Sequence, residues 1–323
     1  RQQTDIISRE TRAATSRFPD GSTMDSLAVY LHDEFHLGDR LTLDLGGRLT
    51  RVDVDLPVAD RDIGASLTVN DLTGNVGALY DLSAGMKVVA NLGRGFRAPN
   101  IFDLGTLGVR PGNRFNIGNP DLMPEEVITA DLGLKFAGRN FIGEAMFWNA
   151  DYRDKITSVL TGAIDDEGRS IVQSRNAATV DLWGFEVGGR LQLNGDQLEL
   201  SGSLNYTRGD ETDGTSQPAD RVPPLNGRIG VLYRRDADRW LEVFTTFAAK
   251  QDRLSDRDVD DPRINPAGTA GWAALNLVAG WNLNHSWNLN LRVGNLLDKR
   301  YREHGSGIDA PGRDLGITIR KVF

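Results

Sequence analysis

The chain has no cysteine among its 323 residues, which excludes disulfide scaffolds and thiolate metal sites. No run of 18 apolar residues occurs, so no transmembrane helix is available. Positive charge is in deficit. Lys and Arg number 37 against 45 Asp and Glu, and the net charge of −8 argues against nucleic acid as a partner. The opening residues, RQQTDIISRE, have no basic stretch followed by an apolar one and do not read as a signal peptide. There is no Gly-x-Ser-x-Gly elbow, no His-Glu-x-x-His and no phosphate loop. The enzyme reading left is a secreted β-sandwich or propeller hydrolase.

What is present is alternation. Leu41, Leu43, Leu45 and Leu49 oppose Thr42, Asp44, Gly46 and Arg48. Ile128, Ala130, Leu132, Leu134 and Phe136 oppose Thr129, Asp131, Gly133 and Lys135. The pattern returns around Glu186 and Arg190, around Glu199, and around Arg292. A period of two specifies strands with one apolar and one polar face. Mean hydropathy is −0.36, as for a soluble protein, but a membrane barrel reads the same way because only alternate residues face lipid. A soluble sandwich also alternates. Strands of about 10 residues, the length of a tilted crossing, favour the barrel. So do Trp240, Trp272, Trp281 and Trp287 near strand ends, where interface girdles belong.

The connections alternate between short and long, as they do in outer-membrane barrels. Short turns fall at 38–40, 83–85, 138–140, 195–197, 236–238 and 284–286; long ones at 53–70, 94–126, 152–172, 209–224, 251–270 and 297–312. This predicts 13 strands: 24–37, 40–52, 71–82, 85–93, 127–137, 140–151, 173–194, 197–208, 225–235, 239–250, 271–283, 286–296 and 313–323. The expected fold is all-β, a transmembrane antiparallel up-and-down barrel forming a single domain over 1–323, with 1–23 as an extracellular segment. Bacterial single-chain barrels have an even strand number. The odd count is therefore expected to mean that earlier strands are missing.

Gly95-Phe96-Arg97-Ala98-Pro99 closes a strand and opens the longest loop, and Asn119-Pro120-Asp121-Leu122 precedes the next strand. Pro blocks ladder pairing and Asn-Pro starts turns, so each segment alone reads as a rigid loop end. Together they resemble two boxes of the TonB-dependent receptors. Asn176 with Gly184-Phe185-Glu186, then Asn295-Leu296-Leu297-Asp298-Lys299-Arg300-Tyr301, then Pro311-Gly312-Arg313, are similar to further family elements in the family's order. Phe323 ends an amphipathic strand, as in the outer-membrane assembly signal, although Lys321 stands where many such strands carry an apolar residue.

The resemblance implies a receptor in the outer membrane of a Gram-negative bacterium that takes up a scarce ligand, such as a ferric siderophore or similar metal complex. It implies a barrel of about 22 strands around an N-terminal plug, with this chain supplying the last thirteen and the plug upstream. It implies outer-membrane lipid, the TonB complex, the barrel assembly machinery and the ligand as partners. No catalytic residue, resident cofactor or metal is expected. A passive porin-like channel, and a receptor-derived barrel with a structural or binding role, remain open. Arg48, Asp131, Lys135, Glu186, Arg190, Glu199 and Arg292 are expected to face the lumen and hold the plug. Arg97, Arg110, Arg114 and Phe115 in the longest loop suit an anionic ligand. His304 is placed to reach a ligand, haem included, while His32, His36 and His285 fall at the opposite end. Asp165 to Glu167 and Asp256 to Asp261 are oxygen-rich, as a calcium-dependent loop would be.

Overall fold

The computed structural model describes residues 20–57, 65–105, 108–110 and 114–322. In chain order the elements are β1 (Thr23–Leu37), β2 (Leu41–Leu56), β3 (Ala65–Ser83), β4 (Met86–Arg97), α1 (Ile101–Gly105), β5 (Gly108–Arg110), β6 (Arg114–Ile117), β7 (Glu125–Ala137), β8 (Phe141–Ile164), β9 (Ser170–Leu193), β10 (Leu198–Asp213), β11 (Thr215–Pro218), β12 (Asn226–Arg234), β13 (Arg239–Ala248), α2 (Asp256–Asp260), β14 (Trp272–Asn282), β15 (Trp287–Gly294) and β16 (Asp314–Lys321).

One antiparallel meander runs β1-β2-β3-β4-β7-β8-β9-β10-β12-β13-β14-β15-β16. Those thirteen strands are the thirteen read from the sequence. β5, β6 and β11 lie in the long connections, with β6 parallel to β9. Among the described residues β1 pairs only with β2, and β16 only with β15, so the sheet is an open wall. The alternation sets this arrangement, because shifting a strand by one residue would turn its whole apolar set inward. Short turns are chosen by backbone sign. Asn194, Gly195 and Asp196 all have positive φ, which Asn, Gly and Asp tolerate better than other residues.

The register carries one set of residues along a common face from strand to strand. The other face holds Leu27, Leu31, Leu132, Ile229 and Ile317, which are 72%, 78%, 58%, 62% and 63% exposed. Water would not tolerate a continuous apolar face of this extent; acyl chains match it. Among the described residues no second layer covers it, so the sandwich reading is wrong. Trp281 and Trp287 lie on this outward face. Trp240 and Trp272 do not. Trp240 lies over Gly280 on the inward face, and Trp272 stacks on Tyr301 at 4.1 Å near the long loops. Outward aromatics toward the long loops include Phe147, Trp183, Phe185 and Tyr206, with successive centroids 5.4–6.3 Å apart.

Several boundaries differ from expectation. The 152–172 connection is mostly strand: β8 and β9 continue as a hairpin of 24 residues per arm, turning at 165–169. Register shifts after Tyr152 and Leu160, with Asp154 at φ 54°, break the alternation that would have revealed it. β2 and β3 likewise run well into 53–70, and Thr23 begins β1 instead of ending a loop. Residues 1–19 and Phe323 lie outside the described residues.

Apolar burial concentrates at the long-loop end. Val52, Val54, Leu56, Ala65 and Val69 pack with Ala98, Leu104 and Leu122 of the 97–125 connection, and Leu104 is fully buried. A second cluster joins Val180, Ala219 and Val222 with Tyr152 and Leu182. The loops are therefore seated on the wall by hydrophobic contact.

Candidate functional site: the inward wall and the loops above it

The seven residues expected in the lumen share the inward face. Asp131 lies opposite Asn91, Lys135 between Lys87 and Glu144, Glu186 opposite Asn205, Arg190 opposite Ser201, and Glu199 opposite Gln192. Arg48 pairs with Thr73, and Arg292 with Val278, on the same side. Most are partnered. Arg48 donates to Thr50 Oγ1 (3.1 Å), Asp131 accepts from Asn91 (3.1 Å) and Glu199 from Arg234 (3.1 Å). Lys135 meets Glu144 at 3.8 Å, and Arg292 meets Asp314 at 3.4 Å. Glu186 and Arg190 make no side-chain hydrogen bond or ion pair among the described residues and are exposed.

Sequence reasoning missed part of this wall. Arg228 pairs with Glu242 at 2.5 Å and lies 4.0 Å over the Phe244 ring. With Lys87, Lys135 and Arg190 it borders a concavity of about 590 Å³ near the short turns, floored by Gly188, Ser201 and Ser203. A second concavity of about 780 Å³ runs past Tyr30, Arg48, Asn75, Asn91 and Thr129. The missed charges sit at alternate positions of strands that the sequence had already located. That phase was the available signal.

The two boxes at the ends of the 97–125 connection tie it down. Arg97 donates from Nε and Nη2 to the two oxygens of Glu125 (2.6 and 2.8 Å) and from Nη1 to Asp103 (2.6 Å). Glu125 also accepts the Ile156 N–H (2.8 Å). Phe96 packs on the first apolar cluster, Ala98 and Leu122 are members of it, and Pro99 is fully buried. Asn119 donates to the Ser174 carbonyl (2.8 Å) and accepts the Asp121 N–H (3.0 Å), fixing the turn at Pro120. Asn176 accepts from Met123 N–H (2.8 Å) and donates to the Met123 and Asp154 carbonyls (2.9 and 2.7 Å). Arg97 is thus engaged at all three guanidinium nitrogens.

The other loop candidates separate into two places. Arg114 and Phe115 lie on β6, the strand added to β9 at the end of the long hairpin, and Arg169 lies 5.1 Å over the Phe115 ring. Arg110 sits opposite Arg114 by its backbone; its side chain lies outside what the structure describes. Burial pushes the Asp165 carboxyl up, but the N–H and guanidinium of Arg169 outweigh this and hold it below its ordinary value.

His304 lies elsewhere, among three loops locked together. Asp258, 2% exposed, accepts the Arg221 N–H at 3.2 Å and forms a capping box with Ser255. Ser255 donates to Asp220 (2.9 Å), and Asp261 takes Arg221 (2.8 Å) and Arg263 (2.6 Å). Bonds from the Arg263 side chain and N–H hold the Asp261 carboxyl far below the usual carboxylate range. His304 Nδ1 lies 2.9 Å from Thr269 Oγ1, while its buried Nε2 has no hydrogen-bond partner. Burial lowers its pKa, so the ring is neutral at pH 7. His32 and His36 are on β1 near the first short turn, and His285 is in the last short turn. Among the described residues no three His, Asp or Glu gather as they would around a metal ion.

The last motif also builds a loop. Asn295, at φ 47°, donates to the Lys299 and Pro311 carbonyls (2.8 and 3.1 Å) and accepts the Lys299 N–H (2.8 Å). Asp298 accepts the Arg313 N–H (2.8 Å), and Arg313 Nε donates to the Leu296 carbonyl (2.9 Å). A Cβ on Gly312 would come within 2.8 Å of that Asp298 oxygen, so any larger residue would have to displace the Asp298 carboxylate.

This architecture has relatives. The chain is 24% identical over 341 residues to the ferric enterobactin receptor PirA of Pseudomonas aeruginosa, a match covering 97% of the chain and 43% of that protein. It is 26% identical over 306 residues to the iron-regulated outer membrane virulence protein of Vibrio cholerae, covering 90% and 44%. The solved structure of the copper transporter OprC superposes with a TM-score of 0.81 at 21% identity, over 99% of the chain and 52% of that protein. The chain thus spans about half the length, or less, of each. A family model described as TonB dependent receptor-like, beta-barrel matches residues 2–296. The chain belongs to that family and is an outer-membrane protein.

Proposed function

We propose that this wall is part of a receptor that imports a ferric siderophore or similar metal complex. The family is one of transport receptors, and the two curated relatives described above are a ferric enterobactin receptor and an iron-regulated outer membrane protein. The observation that carries the reading is the wall itself: an apolar belt outside, and inside a polar face on which Glu186 and Arg190 stay unpaired. Unpaired charges on an inward wall suit a polar occupant, and a plug segment opposite them would supply the partners. The other five lumen residues, mostly paired within the wall, would frame it. Such a receptor performs no covalent chemistry, and TonB supplies the work of moving the plug.

On this reading the outer arm carrying Arg110, Arg114 and Phe115 meets the ligand, with His304 at the neighbouring loop cluster. Arg97 acts by fixing the 97–125 loop. The test is uptake of ⁵⁵Fe-loaded catecholate siderophore by cells expressing the receptor, with and without TonB and an intact proton gradient. Uptake should vanish without TonB. Equal uptake in both strains would mean a passive channel, and no uptake of any metal complex in either would leave a structural role.

A further inference from the structure

The arm formed by β8 and β9 has an unpaired edge above the membrane. β8 leaves the lipid belt after Phe147, where its outward residues become Asn149, Asp151 and Arg153. β7 pairs with it only as far as Arg153, and from Lys155 to Ile164 it pairs with β9 alone. Two bonds fix which backbone groups face that edge. The Ile156 N–H turns away from β9 to Glu125 (2.8 Å), and the Ser174 carbonyl turns away from β8 to Asn119 (2.8 Å). Ser158 lies opposite Ser174, so Ser158 and Leu160 also turn N–H and C=O away from β9. Among the described residues no hydrogen-bond partner meets those four groups.

An exposed strand edge in a native protein usually carries a guard: a charge, a proline or a covering segment. Other edges on this side have one. Arg94 caps the Leu72 carbonyl on β3. β11 ends at Pro218, and its Gln217 accepts the Asp256 N–H of α2 (3.1 Å). β5 is three residues long and ends at Arg110. The β8 edge has no such guard. From Ile156 to Ile164 it contains no charged residue and no proline, and Leu160 and Ile164 are 58% and 68% exposed. Its length is set at both ends. Glu125 occupies the Ile156 amide, and Gly162, at φ 81°, breaks the register before Ile164.

We propose that residues 157–161 dock an extended, uncharged segment of another polypeptide outside the cell by strand addition. Backbone donors and acceptors left free at every second residue fit a peptide backbone. The absence of charge and the exposed Leu160 call for apolar side chains on the incoming strand. A second receptor in the same membrane fits poorly, because tilted strands related by an axis along the membrane normal would cross instead of aligning. The inference does not depend on the cargo, and its test is separate from uptake.

The test uses the receptor isolated in mild detergent and a short fluorescent peptide of alternating threonine and valine. Methylating alternate amides leaves the peptide one bonding edge and prevents it from stacking on itself. The wild type should bind it saturably below about 1 mM. Hydrogen exchange at the Ser158 and Leu160 amides should be fast without the peptide and slow with it, while Thr157 and Val159, bonded to β9, stay slow throughout. Ser158→Pro removes one edge donor, leaves the β9 ladder intact, and should weaken binding about tenfold. Leu160→Lys, which keeps the backbone, should weaken it as well. Val109→Ser, on the opposite edge of the outer sheet, should bind as wild type. Heat-modifiable gel mobility reports folding in each. No saturable binding, unchanged affinity in both β8 variants, equal loss in Val109→Ser, or binding of the fully methylated peptide would each overturn the proposal. So would a receptor dimer that Ser158→Pro disperses, since a second copy would then occupy the edge.

Discussion

Removing the Arg97 side chain should release the 97–125 loop without unfolding the wall. Glu125 is 8% exposed, and Arg97 supplies two of the three hydrogen bonds at its carboxylate. Breaking a buried pair by deleting one partner costs about 3–5 kcal/mol. The Arg97 side chain is 42% exposed, so water replaces part of what is lost. The expected cost of Arg97→Ala is therefore about 2 kcal/mol, smaller than the full buried value. The strand ladder between β4 and β7 does not depend on it, so the loss should appear as local opening. At about tenfold per 1.4 kcal/mol, hydrogen exchange at the Asn100, Leu104 and Ile156 amides should quicken by about thirtyfold. Amides in β13 and β14 should not change. Arg97→Met with Glu125→Leu removes both charges and should recover part of the loss at Asn100 and Leu104, while the Ile156 amide, deprived of its Glu125 acceptor, stays fast. Unchanged exchange in Arg97→Ala, or loss spread evenly over the barrel, would refute the reasoning.

Leu132 lies midway along the outward belt of β7, so Leu132→Arg should destabilise the membrane-inserted protein by about 2–4 kcal/mol, measured by denaturant unfolding in lipid. Lys135→Leu, on the inward face, should change little in the same assay. Gly312→Ala should break the Asp298–Arg313 hydrogen bond, costing about 1–2 kcal/mol and speeding exchange at the Arg313 amide. Burial lowers the His304 pKa below its ordinary 6.5, so the unfolded loop binds the proton more readily than the folded one. Stability of the loop cluster should hold above pH 6.5, weaken as pH falls below it, and reach its lower limit once His304 itself protonates. Exchange of the Asp258 and Thr269 amides from pH 7.5 to 5 reports this, and His304→Gln should flatten the profile.

The thirteen strands were legible because each has to satisfy the same two-faced environment, and that constraint is written at every second residue. Glu186 and Arg190 could be assigned to the inner face from phase alone. The hairpin arms past residue 152 were not legible, since bulges shift the phase once both faces have left lipid. Trp240 and Trp272 were misread because a tryptophan near a strand end has two faces to choose from, and only the register tells which. The partners of Arg97 and His304 lie 28 and 35 residues away, so spacing in the chain held no trace of Glu125 or Thr269.

The motifs that identify the family are the residues that build loop ends. Asn119, Asn176, Asn295 and Arg313 spend their side chains on backbone groups, and Arg97 spends its own on two carboxylates. A backbone partner does not change when a neighbouring side chain does, so these bonds can persist while the loop tips vary. That explains how motifs can name the family yet leave its ligand open. Ligand choice would then belong to residues without such duties, and the arm that joins β6 to the long hairpin presents a surface that can change without loosening the ends that hold it. Exchanging residues 106–117 for the equivalent stretch of a relative should alter ligand preference while leaving the bonds of Arg97 and Asn119 in place. A chimera whose preference does not move would put recognition on the His304 cluster instead.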